Sequence, residues 1–319
     1  MRTADVIRIW LVVTAFVLPG IATAQPRETA GVITELKLGQ GKAEIRAAGG
    51  AWRPAAPLQA LRAGDEVRAT QDATVVVLLS GGHGTVKVDA QRSPFVIASS
   101  VDGSQVDRAR TLVTASLKFL TSGPKEPPKA VLATRSIASL PPEILTPRNG
   151  PVLPGALAFE WVGSRSARYA VRLVAPSGVV LERPGVVGPR LDYPPGAPAL
   201  QPGVRYRLEI IAVDQPASAT TFEIVDAARA QTVQADLREL ERALGPGVSA
   251  SSRAVARAGY LADGGFFHDA RLTVLGALAR DPGEPVLHTL LGTLYAQTGL
   301  TQPAAEAFDE ARFLMTRGK

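Results

Sequence analysis

The stretch Leu61 to Val88, LRAGDEVRATQDATVVVLLSGGHGTVKV, holds a Gly-Asp turn, five aliphatic residues in a row from Val75 to Leu79, and glycines at positions 81, 82 and 84. Two readings compete for it. A phosphate-binding loop follows a strand, spaces its glycines, ends in Lys-Ser/Thr and opens a helix whose amino terminus holds the anion. Here the glycines lead into Thr85-Val86-Lys87-Val88, which alternates as a strand does. Ser80 to Gly84 is therefore a hairpin loop, with His83 solvated at its tip. The run Val75 to Leu79 is apolar on both parities, so both faces of that strand are expected to be covered.

Upstream, residues 30 to 46 read as two strands. Val32, Leu36 and Leu38 share one parity, Ala43 and Ile45 pair on the next strand, and Gly39-Gln40-Gly41 turns between them. Before these, Arg2 and Arg8 flank an apolar run from Ile9 to Leu18, and Ala22-Thr23-Ala24 places small residues ahead of Gln25. That pattern predicts a secretory signal over 1–24, cleaved after Ala24, and a periplasmic mature chain with no membrane span after cleavage. The chain has no cysteine, so its cores must form without disulfides. Residues 25–130 carry 14 basic and 10 acidic side chains, 131–226 carry 9 and 8, and 227–319 carry 10 and 10. So small an excess does not make a nucleic-acid face; it supports at most a weak attraction of the first third to anionic envelope polymers.

The order Leu61-x-x-Gly64-Asp65-x-Val67-x-x-Thr70, an apolar strand, a glycine-rich turn and another strand resembles the FecR domain of bacterial envelope proteins. The likeness spans residues 30 to 100. It departs at the turn, where such domains carry Asp-Gly-Ser and this chain has Gly81-Gly82-His83. It also departs in the few residues ahead of the signal segment, since transducers of that family keep a cytoplasmic segment and a membrane span. The resemblance implies a β domain over 25–121, ending in a helix. Ser104 and Asp107 form a capping box for that helix, and Val106, Ala109, Val113, Leu117 and Leu120 make one apolar face, expected to lie on the preceding sheet. Residues 122–140, opening with SGPKEPPKA, read as a proline-rich linker.

From 141 to 226, strand-like runs at 157–162, 169–174, 204–213 and 220–225 alternate with turns such as Pro176-Ser177-Gly178 and Pro202-Gly203, which predicts a β-sandwich. The segment LQPGVRYRLEIIAVD (200 to 214) resembles the region of the tyrosine corner in fibronectin type III-like domains. Leu200 and Tyr206 take the places of the pair, and Trp161 is the core tryptophan.

The last third, 227–319, repeats at an offset of 34 residues: Ala270 with Ala304, Val274 with Phe308, Ala277 with Ala311 and Leu261 with Tyr295. Period and positions resemble tetratricopeptide repeats, with repeats at 251–284 and 285–318 and a half repeat at 227–244. That resemblance implies a stack of helix pairs whose concave face is built by the first helix of each pair. Val255, Gly259, Thr289 and Thr293 fall on that face and are the candidate partner-binding residues. The cationic residues of a carboxylate clamp are not among them. His288 takes a position where the motif often has tryptophan and is expected to pack. His268 and Asp269 are adjacent and so point about 100° apart on a helix.

The three histidines are scattered, and neither His-Glu-x-x-His, Gly-x-Ser-x-Gly nor a dinucleotide fingerprint occurs. The sequence thus offers no catalytic, cofactor or metal constellation and predicts a multi-domain β plus α protein that is not an enzyme. Its expected role is a protein–protein interaction scaffold of the cell envelope, binding an envelope protein through its repeats. The alternative is a binder of cell-wall glycan, peptidoglycan or polysaccharide, through the first domain. A glycan binder needs exposed aromatic platforms, and aromatics are 5% of the chain.

Overall fold

The structure is a computed structural model that describes residues 29–81, 84–98, 108–126 and 141–317. The signal segment, Gly82 and His83, the capping pair Ser104 and Asp107, and linker residues 127–140 lie outside the described residues. Among the described residues the protein is built of four β-sheets and six α-helices. Among the described residues no helix is long and apolar enough to cross a membrane.

The amino-terminal part holds β1 (Thr29–Lys37), β2 (Ala43–Arg46), β3 (Arg53–Pro54), β4 (Ala60–Arg62), β5 (Glu66–Ala69), β6 (Thr74–Leu79), β7 (Thr85–Val88) and β8 (Phe95–Val96). They form two sheets, β4-β1-β6-β7 and β3-β2-β5-β8. β6 is the apolar run, and it lies antiparallel between β1 and β7 with Val75 to Leu78 all buried. The Leu79 amide donates to the Gly84 carbonyl at 3.2 Å, so the glycines close a hairpin and no helix follows. At the other turn, Gly64 adopts φ +85°, while the Asp65 carboxylate accepts from the Arg62 amide at 2.8 Å. On the polar face of β2 and β5, Arg46 pairs with Glu66 and Arg68 with Glu44, both at 2.7 Å. The Trp52 indole sits with both guanidiniums over its ring, 4.7 and 4.1 Å from its centre.

Helix α1 (Arg108–Ser122) buries Leu112, Val113, Ser116, Leu117, Phe119 and Leu120. Of the expected apolar face, Val113, Leu117 and Leu120 are buried, Ala109 is half-buried and Val106 lies outside the described residues; its main cover is not the preceding sheet. α1 touches β1 and packs chiefly along a helix from the far end of the chain.

The middle part is a two-sheet sandwich. β9 (Glu143–Thr146), β10 (Gly150–Val152), β11 (Ala158–Val162), β12 (Arg168–Ala175), β13 (Gly178–Val187), β14 (Arg190–Asp192), β15 (Arg205–Ala212) and β16 (Ser218–Ile224) form sheets of order β10-β16-β15-β12-β13 and β14-β11-β9. Tyr206 is buried, and its hydroxyl accepts from the Gln201 amide at 2.6 Å. Trp161 packs edge-on against Tyr169 with 5.1 Å between ring centres, so both aromatics serve the core. β9, β10, β13 and β14 escaped the periodicity reading because they are short or lie at sheet edges with little alternation.

The helices that follow are α2 (Ala227–Leu244), α3 (Ala250–Asp263), α4 (Phe267–Leu278), α5 (Pro285–Gln297) and α6 (Thr301–Thr316). α4 and α6 start 34 residues apart, and the aligned pairs Ala270/Ala304, Val274/Phe308 and Ala277/Ala311 are all buried. A Cβ on Gly292 would lie 2.9 Å from the Phe308 ring, so the small residue makes room for the large one.

The three stretches of chain build only two cores. One continuous core joins the amino-terminal sheets, α1 and helices α2–α6, while the sandwich has a separate core. Gly64→Val must strain a positive φ, with an expected loss of about 1–3 kcal/mol. Because the helices share that core, the substitution is expected to lower the urea midpoint of the helical circular dichroism. An unchanged midpoint would show that the two parts unfold independently.

Candidate functional site

Val255 and Gly259 sit one turn apart on α3, and Thr289 and Thr293 one turn apart on α5. The structure brings the two pairs onto one face, and all four are buried. What covers them is the chain itself. α1 lies along α3 so closely that a Cβ on Gly259 would come 2.9 Å from the Ser116 carbonyl oxygen and 3.0 Å from Leu120 Cγ. Beyond α1 the main chain passes over α5, where a Cβ on Gly123 would be 2.4 Å from Thr293 Cγ2. The Thr293 hydroxyl reaches the Pro124 carbonyl at 2.7 Å and the Thr289 carbonyl at 3.0 Å. Lys125 then donates to the Leu58 carbonyl at 2.5 Å, and burial lowers its pKa. Occupancy of this face by a second protein requires that α1 and residues 123–125 leave it.

β1 closes the same face from the side of the helix amino termini. A bulge between Ile33 and Glu35 turns the Glu35 carboxylate toward α3. There its Oε1 accepts from the Ser252 amide at 3.2 Å, the Ser252 hydroxyl at 2.5 Å and the Ser249 hydroxyl. Thr34 Oγ1 is 2.8 Å from Ser252 Oγ. Glu284 caps α5: its Oε1 accepts from the Val286 amide at 3.2 Å and from the Leu36 amide of β1 at 3.0 Å. This carboxyl is fully buried, its Oε2 has no hydrogen-bond partner among the described residues, and burial pushes its pKa up to about 7. At the rim Lys37 pairs with Asp281 at 2.9 Å.

A second polar junction holds the sandwich to the helices. Arg271 donates to Glu160 at 2.7 Å and to the Tyr295 hydroxyl at 3.1 Å. Asp269 accepts from the Leu153 amide at 3.1 Å, and burial raises its pKa to about 6. His268 Nδ1 lies 2.6 Å from Thr146 Oγ1. Burial, helped by the Arg271 charge, holds its pKa down near 4. The adjacent His268 and Asp269 thus meet β9 and the residue that follows β10. His288, half-buried, has its Nε2 2.8 Å from the Pro282 carbonyl. Among the described residues no three His, Asp or Glu side chains gather at metal-binding distance.

Sequence reasoning found the four residues of the covered face but not Glu35, Glu160, Arg271 or Glu284. Pro285 opens α5, and a proline at that position is the local signal that a cap precedes it. Nothing local showed that the Glu284 carboxyl would be buried.

No family model matches the chain, and no curated protein matches it. Among solved structures, a β-1,2-glucanase from Parabacteroides distasonis aligns over 89% of this chain at 11% identity, with a TM-score of 0.21. The chain spans 49% of that protein.

Two outcomes are expected. Gly259→Val places methyl groups against the Ser116 carbonyl and Leu120, overpacking of the kind that costs about 1–3 kcal/mol. Trypsin should then cut at Arg110 and Lys118 faster than in the parent while α3 to α6 stay helical. Equal cleavage would mean that α1 does not lean on Gly259. For His268, protons bind the unfolded chain first, so its contribution is present above pH 6.5 and is lost as pH falls toward 4. That is a loss of about 3 kcal/mol, read as the change between pH 7 and pH 4 in the stability difference between parent and His268→Gln, a difference that cancels the opposite contributions of Asp269 and Glu284.

Proposed function

We propose that the protein is an exported, non-catalytic interaction scaffold of the cell envelope, with a FecR-like first unit, a fibronectin type III-like sandwich and a tetratricopeptide-type helical array. The assignment of the sandwich draws support from the Tyr206 hydroxyl tied to the Gln201 amide. That of the array draws support from the 34-residue spacing of α4 and α6 with matched buried residues. The functional reading rests on one observation. The face carrying Val255, Gly259, Thr289 and Thr293 already grips an amphipathic helix and the extended segment behind it, through shape at Gly259 and a hydrogen bond from Thr293. Arrays of this kind bury apolar surface only against neighbours, and here the neighbour is α1. A protein partner of this face is an amphipathic helix that replaces α1.

Glycan binding by the first unit remains the competing reading. Its aromatic candidate is Trp52, yet the indole already carries the Arg46 and Arg68 guanidiniums. Each of those is ion-paired in turn. The face of the indole is therefore already occupied within the chain, and the interaction reading is favoured.

The test sets two measurements side by side. Full-length protein is cross-linked in envelope extract, and separately sedimented with purified cell wall. The scaffold reading expects one cross-linked protein, captured more strongly by Leu120→Ala, which loosens α1 and leaves the groove at Gly259 unaltered, with no cell-wall pelleting by parent or variant. Pelleting of the parent, abolished by Trp52→Ala, would establish the glycan reading instead.

A further inference from the structure

We propose that the helix-binding face of the array is held shut by a proton-dependent latch, formed by the buried carboxylate junction between β1 and the amino termini of α3 and α5. This deepens, and rests on, the reading of that face as a binding groove.

The geometry around Glu284 sets the argument. One oxygen is used twice, by the Leu36 and Val286 amides, and the other has no partner among the described residues. The positive end of α5 favours an anion there, but it reaches a single oxygen. Of the charged groups facing Glu284, Lys37 favours its anion and two carboxylates oppose it. From β1 come Glu35 and Lys37, and from the segment before α5 comes Asp281, which takes the Lys37 ammonium at 2.9 Å. α3 presents only hydroxyls, those of Ser249 and Ser252, both directed to Glu35. On α5 itself the His288 ring is engaged with the Pro282 carbonyl. Among the described residues two carboxylates and one cation, already paired with Asp281, face a fully buried acid, so the neutral form is the one that fits.

Ionisation leaves one route to solvation for the empty oxygen, namely separation of β1 from α5. β1 also packs against α1, and that parting loosens the cover over Gly259 and Thr293. The sign follows from linkage. A carboxyl raised from 4.5 to about 7 stabilises the closed form fully below pH 4.5, and the stabilisation drains away as pH rises to 7. The opening constant should grow at least about tenfold between pH 5 and pH 7.

The chain has no cysteine, so Thr34→Cys puts a lone thiol at the buried contact with Ser252. Its maleimide labelling in the full-length protein is measured against the urea-unfolded chain at each pH, which cancels the thiol's own ionisation. Glu284→Gln keeps the acceptor that Leu36 uses and cannot ionise. The latch requires relative labelling to rise about tenfold or more from pH 5 to pH 7 in Thr34→Cys, and to stay flat in Thr34→Cys/Glu284→Gln. Equal pH dependence in the two, or none in either, overturns it. Hydrogen exchange of the segment around Leu36 in otherwise unaltered protein, with and without Glu284→Gln, gives the same comparison if the thiol variant does not fold.

A tagged peptide of residues 108–126, added at pH 7.5, separates the two layers of the argument. Binding that appears only when labelling rises supports the latch and the groove together. Labelling that rises without peptide binding supports the latch and removes the groove reading. Peptide binding that is independent of pH and of Glu284→Gln leaves the groove and removes the latch.

Discussion

The amino termini of α3 and α5 are where the structure is tied together. A helix begins with backbone amides that have no partner within it, and in most helices a local side chain or water meets them. α5 is capped by its own Glu284, but that carboxylate also takes the Leu36 amide of β1. α3 has its local cap in Ser249, and Glu35 adds a second acceptor for the same Ser252 amide from 217 residues away. A strand near the start of the chain thus completes the caps of two helices near its end. Buried polar groups left unmet are costly, so the pairing of β1 with these helices is specific in a way that apolar contact alone would not make it.

That tie explains why sequence order and spatial order disagree. The sandwich stands in the middle of the sequence but outside the principal core, which runs from the amino-terminal sheets through α1 into α2–α6. Its attachment is of a different kind. Glu160 with Arg271, the Leu153 amide with Asp269 and Thr146 with His268 make a seam of hydrogen bonds and one ion pair. Gly150 lets the sandwich backbone approach, since a Cβ there would lie 2.8 Å from the Gly265 carbonyl oxygen. An apolar junction thus fuses the two ends of the chain, while a polar seam seats the sandwich against them.

Small residues decide what fits where in the helical layer. Gly292 admits the Phe308 ring within a helix pair, and Gly259 admits the α1 backbone across the face of the array. The same kind of residue thus serves packing within a helix pair and the close approach of another helix. A side chain at 259 would hold α1 away and leave Val255 and Thr293 open to water.

Much of this was legible from sequence. A continuous apolar run located β6, alternation located β12 and β15, the Gly64-Asp65 pair located a turn, and the 34-residue offset aligned the buried positions of α4 and α6. The 3.6-residue periodicity also records which side of its helix a residue occupies, so Val255 with Gly259 and Thr289 with Thr293 could be paired from sequence. Periodicity records nothing about what lies against that side. That α1 covers Gly259, that Glu35 reaches α3 and that Glu284 loses all contact with water are consequences of contacts between segments more than a hundred residues apart. Desolvation, which sets the protonation of Glu284, His268 and Asp269, depends on everything packed around a group. For these three side chains it was therefore decided only when the chain had folded.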